Sequence, residues 1–405
     1  MRKLDPVLFI PHYCSEHIKT RSLELAKSLA KDCEVYYLNW QMYPDAENGL
    51  PSKLISRVRT DLDNLFRRFS VETREGVHHV WSPVAQSSIL TRLGARKLLT
   101  GLNQLIIRRL LRALRIKLVI NAHEFLFPLP DGWNGTYVYD VVDDTIGQLA
   151  NRRERTAAQA VRTEAAKAAL TTTISLTLCD KLQRLFGIQA HYSPNGANVS
   201  EFESVTGTDR SEVRRRYGLE GNWVIGFIGN HAKFSGLSFL CETFARLHRV
   251  APTTRLFVVG PVDRKFERHR SAPGTVWTGP VPPKQIAKYF SAVDVGVLPF
   301  EKCPLTDAAL PIKVVEYGAA RKLVVASALD ELKRLGLPHV VLLDASPEAW
   351  LGALAAARTR TWEPRWDPVI RRYEWDAVAK DMVGAALKSL SAHADESRFP
   401  LRETS

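Results

Sequence analysis

The sequence predicts an α/β protein built from two successive open, mostly parallel sheets. Three observations carry this. Apolar runs of strand length alternate with stretches of helical periodicity. A charged, weakly patterned segment near 200–222 interrupts the alternation, and WVIGFIG at 223–229 restarts it. At 405 residues and 45% hydrophobic content, the chain has enough apolar material for two or three packed domains.

In the first half, PVLFI (6–10) reads as a buried strand, a helix follows near 18–31, and EVYYLN (34–39) completes a βαβ pattern. VHHVW (77–81), KLVIN (117–121), TYVYDVV (136–142) and TTTISLT (171–177) add strands, with an alanine-rich helix at 154–170. The second half alternates likewise. Strands are expected at 223–229, 255–260, 276–279, 294–300, 323–327 and 339–344, with helices at 237–248 and 286–293. Two terminal helices and a frayed tail close the chain, and Trp350, Trp362, Trp366 and Trp375 suggest aromatic packing back across a domain boundary. The expected division is 1–205, 206–375 and a returning segment at 376–405.

The formal charge of +13 favours an anionic partner: a phosphorylated small molecule, an acidic membrane or nucleic acid. The five scattered cysteines form no CxxC pair and no zinc spacing, which fits free thiols in a reducing compartment. There is no secretory core and no long uncharged apolar run, so the expectation is a cytoplasmic protein, peripheral at most on a membrane.

Ligands of open α/β sheets sit beyond strand carboxyl ends, beside helix N-termini. Candidates cluster there. GFIGNHAKFSG places Gly229, Asn230, His231 and Lys233 after one strand, Gly260 ends the next, and Gly279-Pro280 follows a third. Close backbone approach at such glycines exposes N–H groups to phosphate, although ordinary turns also contain glycine. In the first half, YDVVDD ends in Asp143 and Asp144, either of which could serve as a base or cap the following helix. His12, Glu16 and Arg21 follow the first strand, and His123-Glu124 follows KLVIN, as candidate acceptor-pocket residues or plain loop polar groups. A metal bound by the carboxylates of Asp140, Asp143 and Asp144 also fits on composition alone, and no second acidic cluster strengthens that case.

The stretch 91–117 carries eight Lys/Arg and no Asp/Glu, with leucines at helical spacing. It suits either an interfacial helix on an acidic bilayer or a core helix with a solvated basic face. Nucleic acid is disfavoured because no aromatic residues interleave the charges and no recognition motif is present.

The segment LPIKVVEYGAARKLVVAS (310–327), after DVGVLPF, resembles the donor-site signature of GT-B glycosyltransferases, in particular family 4 and family 1 enzymes of bacterial polysaccharide synthesis. The resemblance implies two facing Rossmann-like domains with a C-terminal helix crossing back. It implies transfer of a sugar from a nucleotide-sugar donor to a saccharide or lipid-linked hydroxyl, without a metal or other cofactor. Glu316 would accept from ribose hydroxyls, with Lys313, Arg321 and the glycine loops on the donor side and Asp143, Asp144 and His12 at the reacting centre. The family's second acid, eight positions earlier, is replaced here by Ala308, beside Asp307. That substitution keeps a decayed anionic-ligand- or membrane-binding relative as the alternative, with a nucleotide-sugar epimerase behind it.

Overall fold

The computed structural model describes residues 5–12, 20–40, 58–63, 65–84, 94–123, 127–147, 149, 151–229, 234–261 and 264–398. Contacts divide the chain into two units: Met1–Ile174, Cys179–Ser193 and Val378–Ser405 in the first, Ser175–Leu178 and Pro194–Ala377 in the second.

The first unit holds strands β1 (Val7–Ile10), β2 (Val35–Asn39), β3 (Ser70–Arg74), β4 (Val77–Trp81), β5 (Leu118–Asn121), β6 (Thr136–Val141), β7 (Leu170–Thr173) and β8 (His191–Tyr192). They lie in the order β3-β4-β2-β1-β5-β6-β7-β8. Val7 is in register with Val35 on one side and Leu118 on the other, both parallel. Near-continuous apolar strands such as VLFI, buried throughout, are what a sheet covered on both faces demands. β3 is the antiparallel exception. It is joined to β4 through Glu75 and Gly76, both at positive φ, the geometry of a tight two-residue hairpin. SVETR gave no signal as a strand because every residue in it is exposed.

The second unit holds β9 (Trp223–Ile228), β10 (Thr254–Val259), β11 (Thr275–Trp277), β12 (Val295–Leu298), β13 (Leu323–Ser327) and β14 (Val340–Leu343), in the order β11-β10-β9-β12-β13-β14. All its pairings are parallel. Residues 207–216, read as part of a connection, form the helix Gly207–Arg216, held at its start by a reciprocal Thr206–Asp209 capping box. It escapes periodicity because Val213 is its single buried residue.

From Val378 onward the terminal helix Trp375–Arg398 belongs with the first unit, the chain return of the GT-B architecture. Buried Val378, Ala379, Met382, Val383 and Ala386 give that stretch its apolar side, and Asp381 meets His191 at 2.6 Å. Trp350, Trp362 and Trp366 pack in the second unit's own core, and Trp375 lies against Gly196 of that unit.

Candidate functional site

Each sheet reverses strand order once. In the first unit the reversal lies between β1 and β5, in the second between β9 and β12. A crevice at such a switch point, beyond the strand carboxyl ends, is where open α/β sheets take ligands. Each unit carries candidate residues at the carboxyl edge of its own sheet.

In the first unit, adjacent strands β2, β1, β5 and β6 deliver Trp40, His12, His123 and Asp143 to one edge. The His12 and His123 rings lie 5.7 Å apart, Trp40 meets His123 edge-on at 5.5 Å, and Phe127 closes against both. His12 Nε2 stands 3.9 Å from Asp143 Oδ2. Loss of hydration raises the Asp143 carboxyl above the usual carboxylate range, with His12 opposing the rise and Asp144 adding to it. Burial pushes His123 down to about 3, with His12 adding, so its ring is neutral at neutral pH. Its backbone is pinned by Asn121, whose side chain accepts from the His123 N–H and donates to Tyr137, which in turn donates to buried Glu164.

The two aspartates separate. Asp144 is buried, takes Lys181 Nζ at 2.5 Å, and accepts from the Gly147 N–H, closing the turn after β6. Asp143 has a side chain 47% exposed and is the carboxylate open to a ligand. Arg21 is displaced from the expected acceptor pocket. It is buried, donates to both oxygens of Asp140 and to Ser193, and Asp140 also accepts from Thr172. Its donors are spent on the core. Glu16 and Glu124 lie outside the described residues.

In the second unit, Gly229, Gly260 and Gly279 follow β9, β10 and β11. The Gly229 N–H donates to Val259 and the Gly260 N–H to Gly279, so the three glycines form one row. The helix Ile312–Ala319 begins after Pro311, whose approach is fixed by Asn195 donating to Leu310. Tyr317 anchors that helix on the sheet, donating to the Gly226 carbonyl at 2.6 Å. A Cβ at Gly296 would sit 2.6 Å from the Tyr317 ring, so this close approach requires glycine. The anchored helix sets Glu316, buried, against Lys313 at 2.5 Å. The Lys313 side chain also lies 3.8 Å from where a Gly229 side chain would start, which brings the ion pair to the glycine row.

Arg321 is not part of this cluster. It directly precedes β13, so the helix has carried it to the opposite, amino edge of the sheet, where it pairs with Asp367 at 2.7 Å. Asp307 is tied to Lys302 at 2.8 Å and accepts from the Asp330 N–H, while Ala308 is buried. Pro280 is exposed beyond Gly279. Asn230, His231 and Lys233 lie outside the described residues. Among the described residues, no three His, Cys, Asp or Glu side chains converge as a metal cage. Trp40 and Phe127 were not singled out from the sequence. Trp40 had a signal, since it directly follows the EVYYLN run at a strand end.

Residues 222–357 match the family described as Glycosyl transferases group 1. A Bacillus subtilis protein named as a teichuronic acid biosynthesis glycosyltransferase, TuaH, is 30% identical over 157 residues, 38% of each chain. The curated relatives are thus matched over less than half their length. The α,α-trehalose 6-phosphate synthase of Burkholderia multivorans superposes with a TM-score of 0.68 at 12% identity, covering 98% of this chain and 99% of that one. HepE of Anabaena, solved with UDP and glucose, gives 0.61 at 13% identity, covering 96% and 100%. The chain therefore has the GT-B fold and is related to group 1 glycosyl transferases through its second unit.

Proposed function

We propose that this chain is a glycosyltransferase that moves a sugar from a nucleotide-sugar donor to an acceptor hydroxyl. The observation that carries the reading is the Lys313–Glu316 pair, held beside the glycine row at the second sheet's switch point. A carboxylate there accepts from ribose hydroxyls. Lys313 meets the diphosphate, where negative charge grows as the bond from the anomeric carbon to phosphate oxygen breaks. The UDP complex of HepE supports a uridine nucleotide as the donor type.

The first unit supplies the acceptor chemistry. Asp143 takes the hydroxyl proton as oxygen attacks the anomeric carbon, and the nucleoside diphosphate leaves with the bonding pair. That is the inverting course. In a retaining course Asp143 positions the acceptor instead, and Asp307, bound to Lys302, adds no second acid. His12 and neutral His123 border the hydroxyl, while Asp144 and Arg21 hold the strand ends in place.

The acceptor is a saccharide or lipid-linked saccharide of cell-surface polymer synthesis, a reading that the TuaH likeness supports. The helix Arg96–Ala113 supports work at an anionic membrane surface. Its buried side is Leu99, Asn103, Ile107, Leu110 and Leu111, so Leu98, Leu102 and Leu105 face outward beside Lys97, Arg108, Arg109 and Arg112. Among the described residues no helix is long and apolar enough to cross a membrane.

The test is a product assay with UDP-, GDP- and dTDP-sugars against lipid-linked oligosaccharides. A glycosylated product with release of nucleoside diphosphate is expected. Saturable donor binding without transfer to any acceptor would favour the decayed relative and overturn the proposal.

A further inference from the structure

Three helices of the second unit, Gly207–Arg216, Ile286–Ala292 and Ile312–Ala319, border a polar cavity of about 510 Å³. That volume suits a small metabolite. Its polar lining is Glu203, Thr206, Arg210, Ser291, Arg321 and Lys322. Neither the glycine row nor the Lys313–Glu316 pair belongs to it.

Two cations converge there on one neutral atom. The Ser291 carbonyl accepts from Arg210 Nη1 and, at 3.2 Å, from Lys322 Nζ. The acids of this region are already committed. Asp294 is shared by Arg210 and Arg214, each at 2.6 Å, and Asp209 takes Lys288 at 2.7 Å. Glu203 takes Arg371 at 2.5 Å, and Asp367 takes Arg321 at 2.7 Å. Exposed Glu212 acts on Lys288. Two guanidiniums and one ammonium therefore surround a single carboxylate, and among the described residues Lys322 meets no carboxylate of its own. Burial pushes the Lys322 ammonium down to about 8, with Arg210 and Arg214 adding and Asp294 opposing. Excess positive charge away from water is costly without a counter-ion.

The backbone supplies none. The last carbonyls of the helix Ile312–Ala319, those of Glu316, Tyr317 and Gly318, accept from the N–H groups of Ala320, Lys322 and Arg321. Arg321 closes that turn at a φ of 54°, a conformation glycine adopts more easily, so the chain holds an arginine at the cavity against backbone preference.

We propose that this cavity is an anion site, separate from the donor row, that takes the phosphate group of a small molecule between Lys322 Nζ and the Arg210 guanidinium. A phosphate there replaces the repulsion of two cations with two charge-assisted contacts, and its several oxygens serve both donors at once. The volume exceeds what one phosphate fills, which leaves space for the body of a phosphate monoester. Ala319 is the last residue of the helix that carries Lys313 and Glu316, so an occupant also bears on that helix. Such a site is independent of the transferase activity proposed above.

The experiment titrates the full chain calorimetrically with inorganic phosphate and with glucose 6-phosphate at constant ionic strength. Wild type is expected to bind, Lys322→Met to bind at least about tenfold more weakly, and Lys313→Met to bind as wild type. Tighter binding of glucose 6-phosphate assigns the site to a phosphate monoester, and tighter binding of inorganic phosphate assigns it to the free ion. A second readout is the 13C-dimethyl-lysine signal of Lys322, identified by its loss in Lys322→Arg. It should titrate near the amine's value of about 8 and move to higher pH once phosphate is bound, because an anion favours the charged form. Four results would overturn the proposal: no binding of either phosphate by wild type, undiminished binding by Lys322→Met, a Lys322 signal that phosphate does not move, or binding lost in Lys313→Met alone, which puts the phosphate on the donor row.

Discussion

The carboxyl edges of the two sheets are furnished in opposite ways. In the second unit the switch point is lined by glycines and one ion pair, Lys313–Glu316. That arrangement leaves space beside one lysine and one carboxylate, which suits a bulky, charged ligand. In the first unit four neighbouring strands each end in a large side chain, Trp40, His12, His123 and Asp143. Aromatic walls with one half-exposed carboxylate suit a neutral, hydroxyl-rich partner and proton transfer. The same sheet geometry thus supports two chemistries, and what differs is which residues follow each strand.

That contrast breaks first through the core of the first unit. Arg21→Met leaves the buried Asp140 carboxylate without its guanidinium, and removing one partner of such a pair costs about 3–5 kcal/mol. Thermal or urea unfolding should show the loss. If stability is unchanged, Arg21 is not serving the core and returns to the acceptor pocket.

Next, Asp143→Asn should lower kcat by about 10²–10⁴-fold with donor affinity unchanged, and Asp144→Asn should act on stability instead. Because hydration loss raises the Asp143 pKa, wild-type rate should climb with pH through the acid range, and the asparagine variant should lose that limb. Equal kcat for Asp143→Asn and wild type would remove the base assignment.

A smaller effect separates the units by acid. Burial holds His123 at about 3 and His339 at about 4, below the ordinary histidine value. The unfolded chain therefore binds these protons first. Each contribution is complete above about pH 6.5 and declines as pH falls toward the folded value, by about 1.4 kcal/mol per pH unit. His339→Gln should flatten the acid limb of the second unit and leave that of the first, as read by hydrogen exchange on β13 and β5.

Legibility followed the reach of each interaction along the chain. The strands were readable because apolar runs are local, and Lys313 with Glu316 because three residues on a helix place them side by side. Arg21 was misjudged because its partner Asp140 is 119 residues away, and no local pattern announces such a pair. Arg321 was misjudged for the reverse reason. It is near Glu316 in sequence, yet it lies past the end of the helix, directly before β13, where it pairs with Asp367 instead. β3 and the Gly207–Arg216 helix were missed because neither has an apolar face to show.

The central claim is that Glu316 marks the donor site and that Arg321 lies outside it. Calorimetric titration of wild type, Glu316→Gln and Arg321→Ala with the nucleotide sugar that the product assay selects tests it most directly. Losing charge-assisted hydrogen bonds to ribose should weaken Glu316→Gln about ten- to hundredfold. Arg321→Ala should bind as wild type, its exposed ion pair being worth about 0–1 kcal/mol to stability alone. Wild-type affinity in Glu316→Gln, or an equal loss in Arg321→Ala, would contradict the account.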